Sequence, residues 1–592
     1  MDFLKDKFKL FILFLFFYLS ILNFYQLSEQ HWSSMLDQDI VMIYNSLLIS
    51  SGYEQEYRDH PAYTSFLLLG GTFKFLSIFF DNYTIQEIFK SENIDENFQT
   101  LFIIGRILNS IYIFLIAFVL LVILKELNIK RNISFFVVFL VIIFQDTYEL
   151  LFLIRSEGLS ILMVLSFLYF LIKFIKEKKI KYSIISGFFV CLAMLAKIHV
   201  IFLLCTFIIS LPYFVNYLKI SKINLVYKQN YYILSIIFLS LLLLSYFYFQ
   251  IALGISYMRV LSDPRYYYTN NIDLIFILLF VIIYSFFIGY LSKKKIINMQ
   301  EIIISISSML VGFVLCVLFV IFLDLINLIP FNKLNLLRLT NPMEYMTDHA
   351  RIFPNYKNIF TTIKYLIFGF GGILELNFNE FLEIPRIFYL DPRTFFRSLQ
   401  MIFLICLIYF SVISIKNKEI NYLSVTLFLG IFIQYLVFNL RETHGYNMYL
   451  FPLYVIIASI IFNRLKKKLF IFFYLCLATI FISENLVLSD IHKNTFSREP
   501  RVYDICKYEN IDTARWKNSD NYLKNYNKSS FLKLVEYPKQ WFITYAEQIV
   551  PTFINEDGKL KIKESDDFFL EKYCKQIKKE KDQRSISYKL KP

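Results

Sequence analysis

Most of the chain repeats one unit, an apolar run of roughly twenty residues followed by a short loop, and that length matches the hydrocarbon thickness of a bilayer. Such runs fall at about 10–27, 101–124, 133–149, 150–172, 182–196, 198–216, 230–252, 272–292, 301–323, 396–415, 420–439, 446–463 and 469–488. Their number, about thirteen, predicts an all-α polytopic membrane protein. Composition agrees: 57% of the residues are hydrophobic and 18% charged, against roughly 45–50% and 25% in soluble domains. The net charge of +14 sits in short clusters between apolar runs. That placement writes membrane topology and weighs against nucleic acid as a partner.

The clusters test the count. Lys125/Lys130/Arg131, 173-KFIKEKKIK-181, Lys219/Lys222/Lys228, 293-KKK-295, Lys416/Lys418 and 464-RLKKK-468 all fall on alternate loops. With Lys5, Lys7 and Lys9 they define the cytoplasmic side. The first run, 10-LFILFLFFYLSILNFY-25, lacks a small-residue cleavage site and reads as a signal anchor. One stretch, 61-PAYTSFLLLGGTFKFLSIFF-80, is long enough to cross but holds Lys74, at a cost of about 2.5–3.5 kcal/mol if central. Counting it as a span would also reverse every later loop. It is therefore expected as a helix in the outer interface, with Pro61 in its first turn. Residues 28–100 and 324–395 become long external loops of a transmembrane domain covering 1–489, followed by a small external domain at 490–592. Cys191, Cys205, Cys316, Cys406 and Cys476 lie in spans, where they pack as small apolar residues. Cys506 and Cys574, in the external domain, are either a disulfide or two thiols.

The first external loop is crowded with acid: Asp37, Asp39, Glu54, Glu56 and Asp59, then His60. Apolar positions 40, 43, 44, 47 and 48 recur at helical spacing, which makes Asp39 a natural helix N-cap and leaves Asp37 outside the helix. Further ionisable residues stand at the outer ends of spans. Arg106 opens the second span in 104-IGRILNS-110, Arg155 and Glu157 lie in 153-LIRSEGLS-160, Lys197 sits at the tip of the 182–216 hairpin, and Arg441 and His444 lie in 440-LRETHGYNMYLFP-452. Taken singly, each has a bland explanation, such as a snorkelling Arg or an Arg155–Glu157 salt bridge. Together at one depth they mark a site, because intramembrane charge is expensive. Chemically, acid on one wall and cations on the other suit transfer of a sugar from a lipid phosphate. The cations stabilise the departing phosphate while a carboxylate takes the proton of the attacking hydroxyl, which inverts the anomeric carbon.

This pattern resembles the GT-C superfamily of integral membrane glycosyltransferases, nearest the protein O-mannosyltransferase and aminoarabinose-transferase branch. The residues carrying the likeness are 37-DQD-39 with Tyr44 and Gly52, 60-HPAYTSFLLLGG-71, Arg106, and the Gly187…Lys197 hairpin. It covers residues 1–215 well and the remainder by topology. The resemblance implies that Asp37 or Asp39 is the base or positions the acceptor. It further implies that Lys197 and Arg106, with the His60-Pro61 element at the same contact, meet the phosphate of a polyprenyl-phosphate sugar. Of the other ionisable residues, Arg155 is expected as a further phosphate contact, and Glu157, Arg441 and His444 are expected to serve the acceptor, which is a glycan, lipid or protein. The resemblance also implies a site facing the periplasm of a bacterial inner membrane. Where some members have Lys-Pro this chain has His60-Pro61, which makes that charge depend on pH. A divalent cation between Asp37 and Asp39 has only two carboxylates to hold it, too few to define a metal site. Two other readings predict different residues. An O-antigen ligase or polymerase would depend on His349 and Arg351 of the late loop. A transporter or flippase would show broken spans near the midplane and an internal repeat, and the sequence displays neither.

Overall fold

The computed structural model describes residues 11–20, 39–53, 62–81, 94–143, 154–218, 272–293, 299–331 and 451–463, a few isolated positions, and two strands at 552–554 and 560–562. The helices are α1 (Phe11–Ser20), α2 (Asp39–Ser50), α3 (Tyr63–Leu76), α4 (Ile94–Glu126), α5 (Arg131–Ile143), α6 (Ser156–Glu177), α7 (Ile180–Ala196), α8 (Ile201–Tyr217), α9 (Ile272–Lys293), α10 (Met299–Leu325) and α11 (Phe451–Phe462). Strands β1 (Thr552–Ile554) and β2 (Leu560–Ile562) pair antiparallel, and among the described residues the rest of the regular structure is helical. Stretches of α4, α6 and α10, at Glu96–Glu126, Ser156–Glu177 and Ile302–Leu325, are long and apolar enough to cross a membrane. The chain is a membrane protein on that ground. The spans expected at 230–252, 396–415 and 469–488 lie outside the described residues, as do nearly all of 420–439 and of 490–592.

Contacts fix the helix directions. Helices α6 and α7 form an antiparallel hairpin: Ser186 Oγ donates to the Phe167 carbonyl at 3.1 Å in its middle, and Lys197 meets Glu157 at its open end. The α4 helix runs parallel to α6, with Gly105 against Ile154 at one end and Glu126 against Lys173 and Lys176 at the other. In turn, α10 runs parallel to α7, since Ser183 Oγ donates to the Ser305 carbonyl at 2.8 Å and Phe188 packs towards Phe319. Two ends result. Lys125, Lys130, Arg131 and the 173–181 lysines share one; the start of α6 and the finish of α7 and α10 share the other.

Glycine sets the closest approach. A Cβ added at Gly187 would overlap the Met309 backbone, and one at Gly312 would overlap the Ile184 backbone. Each glycine stands one turn from a serine, in 183-SIISG-187 and 308-SMLVG-312. Between apolar helices in lipid there is no hydrophobic drive to associate, so small residues that let backbones touch supply the packing. The Gly187 of the expected Gly187…Lys197 element is thus a helix-packing residue in the middle of α7, about 15 Å of helix from the lysine.

Helix α3 is tied at two points to the segment beyond α10. Tyr63 Oη donates to the Pro330 carbonyl at 3.3 Å, and Lys74 Nζ to the Leu328 carbonyl at 2.6 Å. Both ends of this 14-residue helix therefore meet one short segment beyond α10, so it lies across the end of the bundle. At about 21 Å it is also too short to span. Gly70 lets α2 seat on α3, an added Cβ falling 2.8 Å from the Ser46 carbonyl. Gly52, at φ 85°, closes α2: Tyr53 N–H bonds the Leu48 carbonyl and Gly52 N–H the Ile49 carbonyl. Such a Schellman stop favours glycine for its left-handed backbone, which gives Gly52 a local structural reason.

Replacing Gly312 by Leu is expected to lower the melting temperature of the detergent-purified protein, by roughly 1–3 kcal/mol or more of overpacking. Gly289→Leu, where an added Cβ meets nothing within 4 Å, serves as control. Equal melting of the two variants would contradict the packing assignment.

Candidate functional site

At the end opposite the exposed lysines, α2 brings its first residue against the start of α6. Asp39 Oδ1 accepts the Ile154 N–H at 3.1 Å, across 115 positions of sequence. This long-range bond comes in addition to the place at the head of its own helix that the sequence gives Asp39. Asp39 is the first residue of α2, and its carboxylate receives a main-chain donor of the segment leading into α6. The approach depends on Gly105, where a Cβ would lie 2.7 Å from the Ile154 side chain.

Arg106 follows that glycine. It does not open its helix: α4 begins at Ile94, so Arg106 lies twelve residues inside and is buried. Its guanidinium stands 5.8 Å from the centroid of the Phe102 ring, and the Asp39 carboxylate acts on it electrostatically. A buried guanidinium is tolerable when an aromatic face and a carboxylate replace part of its hydration.

Lys197 ends α7. Its backbone is extended (φ −157°, ψ 116°) between the helix and a single 3-10 turn at Ile198–Val200. Its ammonium donates to Glu157 Oε1 at 3.0 Å, and both residues are buried. Glu157 sits in the first turn of α6, where the helix dipole favours an anion. The bland Arg155–Glu157 salt bridge is thus replaced by Lys197–Glu157. Arg155 is the extended residue just before α6, and its charge also acts on Glu157.

The expected separation into an acidic wall and a cationic wall is not what the described residues show. Acids and cations are interleaved, Asp39 with Arg106 and Glu157 with Lys197. The structure brings together Asp39, Arg106, Arg155, Glu157 and Lys197. Asp37, His60, Arg441 and His444 lie outside the described residues, as do His349, Arg351, Cys506 and Cys574. Among the described residues no group of three His, Cys, Asp or Glu side chains is placed to hold a metal.

Two participants escaped the sequence. The Ile154 N–H is a backbone group with no side-chain signature. Thr64 Oγ1, which donates to the Leu192 carbonyl at 2.9 Å and ties α3 beside the end of α7, is one hydroxyl among many. No family model, curated protein or solved structure matches the chain.

Lys197→Met is expected to destabilise the protein by about 3–5 kcal/mol, because it leaves a buried carboxylate uncompensated. Adding Glu157→Gln should recover most of that loss in denaturant unfolding of the micellar protein. A double variant no more stable than Lys197→Met would show that the two charges are not coupled.

Proposed function

We propose that this chain is a membrane glycosyltransferase that moves a sugar from a polyprenyl-phosphate carrier to an acceptor hydroxyl at the external face. The observation that carries the reading is the contact of Asp39 with the start of α6, because it brings a carboxylate of the first loop to the Arg106, Arg155, Glu157 and Lys197 set. A lipid phosphate arrives at that depth from the bilayer, and its diester needs cations where the sugar leaves.

In the proposed reaction the acceptor oxygen attacks the anomeric carbon, and the carbon–oxygen bond to phosphate breaks with its electron pair on the phosphate. Lys197, Arg106 and Arg155 stabilise that anion. The hydroxyl proton passes to Asp37 or Asp39. Attack opposite the leaving phosphate inverts the configuration. Glu157 holds the Lys197 ammonium in place before the donor enters, as it does in the structure. The proposal extends the described bundle to about thirteen spans in a bacterial inner membrane with the site on the periplasmic side.

Purified protein incubated with radiolabelled polyprenyl-phosphate sugars and a membrane extract should transfer label. Asp37→Asn or Asp39→Asn, shown to be folded, should reduce turnover by about 10²-fold or more. Full turnover by both variants would remove the base assignment. Loss confined to His349 and Arg351 variants would favour the ligase reading instead.

A further inference from the structure

The lysine-rich end of the bundle has a structure of its own. Glu126, at the close of α4, binds Lys173 Nζ at 3.0 Å and Lys176 Nζ at 2.9 Å. Glu177 binds Lys173 at 3.2 Å and Lys179 at 3.0 Å. This chain of ion pairs locks the α4–α5 turn beside the α6–α7 turn. Both carboxylates are spent on lysines that belong to the network. Around them the two turns expose Lys125, Lys130, Arg131 and Lys181, beside the network's own exposed Lys179. The hydrogen bond to Glu177 also raises the Lys179 pKa, so that ammonium stays charged.

The ring of cations meets the apolar flank at an aromatic step. Lys181 Nζ lies 5.2 Å from the Tyr182 ring centroid, and Phe170 stacks on both Tyr182 and Phe189. Amphipathic aromatics with flanking lysines are the arrangement found at a bilayer's headgroup level. A soluble anion would have no use for that apolar step, whereas a phospholipid covers it with acyl chains while its phosphate faces the lysines.

We propose that this face is a binding surface for anionic phospholipid headgroups, formed in the folded state by the two turns together. Each basic residue near an anionic membrane surface contributes attraction that falls off within a Debye length. Glu126 and Glu177 are outnumbered by the basic residues of the two turns, which leaves the face net positive.

The test uses full-length, delipidated protein in an uncharged detergent. Phosphatidylglycerol, phosphatidylcholine of the same chains, and inorganic phosphate are titrated while melting temperature is followed. Phosphatidylglycerol alone should raise it, since a ligand of the folded state stabilises by mass action. The paired variants Lys179→Gln/Lys181→Gln and Lys125→Gln/Lys130→Gln should each lose at least half of the shift. A charge-matched Lys293→Gln/Lys294→Gln control should keep it. An equal shift with phosphatidylcholine or with phosphate, or a full shift in both paired variants, would overturn the assignment.

Discussion

Lys197 is fully buried, so its charge has to be met inside the protein. Glu157 meets it at 3.0 Å, and the geometry of the surrounding helices follows from that requirement. The pair closes the open end of the α6–α7 hairpin, whose α6 is the most buried of the three described spans. An ion pair in an apolar interior is weak evidence for stability, because desolvation consumes much of the Coulomb gain. It is stronger evidence for specificity: one register of α7 against α6 pairs the charges, and a slip of one turn strands both.

Asp39 and Arg106 repeat the same logic across different elements. The carboxylate takes a backbone donor at the entry to α6, and the guanidinium one helix away rests against Phe102 and the Asp39 field. Gly105 makes this possible by removing a side chain where Ile154 must come close. Glycine at the α7–α10 crossing does the equivalent work lower in the bundle. Small residues therefore decide where helices touch, and the touching points decide which charges meet. The bundle then carries two differently built polar ends, one with buried mixed charge and one with exposed, lysine-dominated charge.

Helix α3 couples the first of those ends to the rest. Its two ends bind carbonyls beyond α10, its Thr64 binds the Leu192 carbonyl, and α2 rests on it at Gly70. Asn335 Nδ2 donates to Gln55 Oε1, which joins the first long loop to the beginning of the second. Asp39 is thus held by a frame that includes segments nearly three hundred residues away.

The sequence by itself determined that the chain is a bundle of apolar helices with charge at both ends. Twenty-residue apolar periods and basic clusters follow from bilayer thickness and insertion energetics, which act on local composition. The desolvation cost of Lys74 and the alternation of the later basic loops both argued against a span at 61–80. The sequence also marked Asp39, Arg106, Arg155, Glu157 and Lys197 as expensive residues that need a reason. Only the tertiary structure decided who meets whom: Lys197 takes Glu157, Arg155 yields it, Asp39 reaches the Ile154 N–H, and Gly187 packs α10. Those choices depend on interhelical distance and register, which are fixed by contacts between residues far apart in the chain, and no local pattern encodes them.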